Sequence, residues 1–84
     1  MDRFNHRFVE TYEGLVGFGA DRETDEHTLM VYFQMISDDE TMRTLIKRMD
    51  DDELEMAFNF IGGLLKRHFS EDEYHAVFLK DDHH

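Results

Sequence analysis

The sequence predicts an all-α fold, a compact bundle of four or five helices in a single small domain spanning residues 1–84. Three observations carry this expectation. Apolar residues recur at three- and four-residue spacing through most of the chain, the period of an amphipathic helix. Ser37 precedes Glu40, Asp50 precedes Glu53 and Ser70 precedes Glu73 by three positions, the pattern of a capping box. Acidic residues fill each first turn after these caps, while Lys47-Arg48 and Lys66-Arg67 close two of the segments, so both ends suit the helix dipole.

The first helix is expected over Arg3–Glu13, where Phe4, Phe8, Val9, Tyr12 and then Leu15 recur at helical spacing, with Gly14 as a left-handed stop. Residues 14–19 read as a flexible apolar loop whose Val16 and Phe18 tuck into the core, followed by a solvated turn over 20–26. The loop glycines run G-x-x-G-x-G, but no clear strand precedes them and no lysine stands nearby, so a phosphate cradle lacks its context. Residues 28–36 fit two periods: Leu29, Val31, Phe33 and Met35 alternate like a strand, while Leu29, Tyr32, Phe33 and Ile36 fit one helix face. Helix is preferred, because the only candidate strand partner, 14–20, is weakened by three glycines. The alternative is an α+β fold with a small hairpin from about 14–20 and 28–36.

From Ser37 onward the signals agree. A helix from about Asp38 to Met49 carries a narrow stripe of Met42, Leu45, Ile46 and Met49 and belongs on the outside of the bundle. The next, from about Asp51 to Phe69, is wider in its apolar surface. Leu54, Phe58, Ile61, Leu65 and Phe69 form a main stripe expected to be buried; Met56, Phe60 and Gly63 form a second strip, with Ala57 and Leu64 joining the two. This exceeds the single stripe of a surface helix, so the helix is expected to be central or to face a second subunit. Gly62 and Gly63 each cost about 0.8–1.0 kcal/mol relative to alanine inside a helix, which calls for a gain from a closely approaching helix or a ring such as Phe18. The last helix, Glu71 to about Lys80, presents Tyr74, Val77 and Phe78.

Composition narrows the function classes. A chain of 84 residues buries only about 60% of its unfolded surface, so it needs a dense core or a partner. The absence of cysteine excludes disulfides, thiolate metal sites and a cysteine nucleophile, and fits a reducing compartment. A net charge of −11, from 20 acidic and 9 basic residues, opposes direct binding to nucleic acid or to an anionic membrane. No apolar run approaches the roughly 18 residues of a membrane span, and Met1–His6 lacks the layout of a secretory signal, so a cytoplasmic protein is expected. The Asp81-Asp82-His83-His84 end holds too few histidines to mark a purification tag.

Catalytic chemistry has little to stand on. Ser37 and Ser70 read as caps, and neither sits in a nucleophile elbow. Of the six histidines, His6, His27, His68, His75, His83 and His84, only His68 and His75 neighbour a cluster, with Glu71 and Asp72. These four are the candidate metal ligands, but a di-iron bundle needs two E-x-x-H motifs and two further glutamates, and only a D-x-x-H is present. No enzyme activity, cofactor or metal is therefore expected. The leading expectation is a protein–protein interaction or regulatory module that meets a protein partner or itself, with a symmetric homodimer as default. Its candidate partner-binding residues are Met56, Phe60, Gly63 and Arg67. One rival is a DNA-mimic inhibitor of a nucleic-acid-binding protein, built on the acidic runs 38–40, 50–53 and 71–73. The other is a metal-binding protein using His68, Glu71, Asp72 and His75.

Overall fold

The computed structural model describes residues 4–81; Arg3 in the expected first helix and His83 and His84 lie outside them. The described residues are all-α, with five helices, a π-helical segment and no strand. They fall into two units, one over Asn5–Arg48 and one from Met49 onward that also takes in Phe4.

In the first unit, α1 spans Arg7–Thr11, shorter at both ends than expected. It stops at an extended Tyr12 rather than at Gly14. The Tyr12 ring folds over Gly14, where an added Cβ would collide with it, and the hydroxyl donates to the Leu15 carbonyl at 2.9 Å. Gly14 thus serves close approach and not a left-handed cap. Phe8 stacks on Tyr12 with centroids 4.9 Å apart, and both rings meet His27 of the following helix. The Val9 amide donates to Gln34 Oε1 at 2.9 Å, a second tie between the same two elements.

That following helix, α2, spans Arg22–Ile36 and overturns the hairpin alternative. Its start corrects the solvated turn expected over 20–26. Extended Asp21 is the N-cap, accepting from the Thr24 amide at 2.9 Å, so most of the polar run is already the first turns of the helix. The loop before it does not tuck its side chains inward: Val16 and Phe18 are exposed. It is held through its backbone instead. Thr28, buried along with Val31, bonds the Gly17 peptide, and the Asp25 carboxylate accepts from the Gly19 amide at 2.7 Å. Gly19, at φ 104°, is the one loop position whose backbone favours glycine.

Helix α3 spans Asp39–Arg48. The expected Ser37–Glu40 box does not form. Ser37 is the C-cap of α2 in helical conformation, its amide donates to the Phe33 carbonyl at 3.0 Å and its hydroxyl to the Gln34 carbonyl at 3.0 Å. An N-cap requires non-helical backbone. Asp38, one residue on, takes the role and accepts from the Thr41 amide at 3.2 Å. Leu45 and Ile46 are exposed, and Met42 and Met49 are half-buried.

In the second unit, α4 spans Asp51–His68 behind the predicted box: the Glu53 amide donates to Asp50 at 2.8 Å and the Asp50 amide to Glu53 at 3.0 Å. The short α5, Glu71–Glu73, starts at the predicted Ser70–Glu73 box and runs on as a π-helical segment, Tyr74–Phe78. The segment closes through the Leu79 amide on the Tyr74 carbonyl at 2.9 Å, and Lys80, at φ 56°, turns the chain away at about the expected helix end. Tyr74 stacks on Phe78 at 5.3 Å.

The main stripe of α4 was expected to be buried, and the structure corrects this. Leu65 and Phe69 are half-buried, but Leu54 and Ile61 are exposed and Phe58 is 78% exposed. The reason is reach. Within the unit, the 71–78 segment lies beside the last turns of α4, and no other described element of that unit covers the earlier turns.

Candidate functional site

Among the described residues α4 is the longest helix, and the Asp50–Glu53 capping box closes its N-terminus. At about 100° per residue, its two apolar stripes lie on nearly opposite sides. Both are presented outward. Met56, Phe60, Gly63 and Arg67 are all exposed and share one side, with Met56 at 70% and Phe60 at 63%. Among the described residues of its own unit, neither Gly62 nor Gly63 has a neighbour where a Cβ would stand, so no element of that unit makes the close contact expected at these glycines.

The opposite side carries a half-open groove of about 510 Å³. Phe58, Ile61 and Leu65 form one wall, Tyr74 and Phe78 the other, and Phe69 lies between. Lys66 and Glu71 supply polar edges to an otherwise apolar trough. Sequence reasoning missed the groove because it expected the Phe58 stripe to be covered. The four-residue spacing of Tyr74 and Phe78 was the available signal for its second wall.

The four candidate metal ligands behave differently from one another. His68 is exposed on the last turn of α4, and Glu71 and Asp72 are exposed in the first turn of α5. His75 is half-buried on the π-helical segment, its Nδ1 3.4 Å from Asp81 Oδ2 without hydrogen-bond geometry. Among the described residues, no three histidine, aspartate or glutamate side chains are grouped to hold one ion.

The acidic runs lie at helix starts, and part of each is engaged there. Asp38, Asp50 and Ser70 accept the capping hydrogen bonds, and Glu53 and Glu73 reach back to the caps. Hydrogen bonding from Ser70, its amide first and its hydroxyl second, holds the Glu73 carboxyl below its ordinary value. Asp21 is likewise lowered, by the Thr24 amide and then the Thr24 hydroxyl. Among the described residues, no helix is long and apolar enough to cross a membrane.

Comparison with protein-family models, with curated proteins and with solved structures finds no match to this chain.

Proposed function

We propose that this chain is a protein–protein interaction module of regulatory type, without catalysis of its own, and that α4 is its docking element. The carrying observation is the exposure of Met56 and Phe60 on a capped 18-residue helix, with open space at Gly63 between them and Arg67. Large apolar side chains grouped on one side of a soluble helix mark binding surfaces more often than not. Aromatic anchors and arginine are the residues that dominate binding energy at such surfaces. Gly63 leaves room for a close approach, Phe60 offers an anchor, and Arg67 gives the strip a charged end.

The reading is tested with Phe60→Glu. Wild-type protein is used as bait in extracts of its native host, and captured proteins are identified by mass spectrometry. The expected result is a reproducible partner that Phe60→Glu no longer captures while its circular dichroism stays helical. A folded Phe60→Glu variant with unchanged capture would overturn the strip as the docking surface. The net charge of −11 favours a basic protein as the partner class, and competition of that partner with DNA would favour the mimic reading instead.

A further inference from the structure

We propose that the other side of α4, the Phe58 groove, is occupied by the α4 of a second copy of this chain, running antiparallel. This rests on reading α4 as a docking element, and it adds the occupant, the face and the register.

The register follows from the sequence of the face. Leu54, Phe58, Ile61 and Leu65 are spaced four, three and four apart, the seam of two packed helices. Turned end for end about a two-fold axis near residues 59 and 60, this seam matches itself. Leu54 of one copy meets Leu65 of the other, and Phe58 meets Ile61, so each pairing occurs twice, as an isologous contact requires.

Charge complementarity selects the same arrangement. Asp51, Asp52 and Glu53 open α4, and Lys66, Arg67 and His68 close it. Parallel pairing would set acid against acid and base against base. Antiparallel pairing sets each acidic start against a basic end and opposes the helix dipoles. On the groove side, Asp51, Glu55 and Lys66 share one flank, and the two-fold axis keeps flank with flank. Lys66 of one copy then falls at the level between Asp51 and Glu55 of the other.

The area is sufficient. Leu54, Phe58, Ile61 and Phe78 are 37%, 78%, 51% and 41% exposed. At about 200 Å² per large side chain, they present roughly 400 Å² of apolar surface per copy. An interface about 60–65% apolar would then bury roughly 650 Å² per partner. The total of about 1,300 Å² is within the range of specific, stable interfaces. Pairing would also supply the burial that the main stripe lacks in the single chain.

The test uses the full chain without a tag, and it exploits the absence of native cysteine. Sedimentation should give a concentration-dependent mass rising to twice 10.1 kDa. Phe58→Glu should raise the dimer dissociation constant about thirtyfold or more, the effect of a hot-spot residue, whereas Phe60→Glu should leave it unchanged. Register is read from cross-links under mild oxidation. Leu54→Cys mixed with Leu65→Cys should form a disulfide-linked pair, while Leu54→Cys alone should not, because its two copies would stand about 16 Å apart along the axis. A wild-type chain that stays monomeric at all concentrations would overturn self-docking but leave the Phe60 capture test standing. Loss of the dimer in Phe60→Glu with retention in Phe58→Glu would overturn the face, and self-cross-linking of Leu54→Cys would overturn the antiparallel register. If Phe58→Glu fails to fold, the cysteine pair decides alone.

Discussion

Thr28 grips the peptide groups on both sides of Gly17: its Oγ1 accepts from the Gly17 amide at 3.0 Å and donates to the Gly17 carbonyl at 3.3 Å. One buried hydroxyl, 4% exposed as a residue, thereby anchors a loop whose own Val16 and Phe18 side chains point to solvent. Thr28→Val keeps the shape and removes both bonds. It should cost about 1–3 kcal/mol, the range for leaving a buried partner unsatisfied, measured by denaturant melts. Hydrogen exchange at the Gly17 amide should accelerate; unchanged exchange would show that the grip is not holding the loop.

The loop glycines should respond unequally to alanine. At Gly14 a Cβ meets the Tyr12 ring, and at Gly19 the backbone sits at φ 104°, so both substitutions should destabilise. Gly17 has open space and no left-handed backbone, so Gly17→Ala should be neutral or stabilise by about 0.4–1 kcal/mol through the unfolded state. Thermal melts of the three variants check the order.

Acid should weaken the helix caps at Asp21 and Glu73. Both carboxyls are held below their ordinary values of 3.8 and 4.5 by hydrogen bonds to the folded backbone. A carboxylate lowered on folding contributes stability that is fully present above its unfolded value and lost as pH falls through its folded one. Carbon-detected NMR titration should therefore place both midpoints below those ordinary values. Glu73→Gln, which can still reach back to Ser70, should remove the acid sensitivity of the C-terminal cap. A Glu73 midpoint at or above 4.5 would contradict the capping account.

Moderate salt should raise the melting temperature. The chain carries −11, and among the described residues two Arg–carboxylate bridges, Arg22–Glu26 at 2.6 Å and Arg43–Asp39 at 3.6 Å, are exposed contacts one helical turn apart. Such pairs are worth little, so screening relieves more repulsion than it removes attraction. A melting temperature that falls with added salt would reverse that balance.

Local chemistry made the helices legible in the chain itself. The boxes at Asp50 and Ser70 form as their spacing predicts, and α3, α4 and the start of α5 follow within a residue or so. Short-range hydrogen bonds need only neighbours in sequence, so residue order suffices to specify them. Where two local choices competed, order alone did not decide. Ser37 and Asp38 both suit an N-cap, and Asp38 won because α2 had already claimed the Ser37 amide. Residues 28–36 fit both periods, and the cap at Asp21, which carries α2 through them, was masked by the polarity of its first turn. Burial lay beyond sequence for a different reason. The Leu54–Phe58–Ile61 stripe is as apolar as a core stripe, but whether it is covered depends on where distant segments end. The 71–78 segment reaches only the last turns of α4, so Phe58 and Ile61, which composition assigns to a core, stand within this unit in the wall of an open groove, and Leu54 lies exposed beyond it.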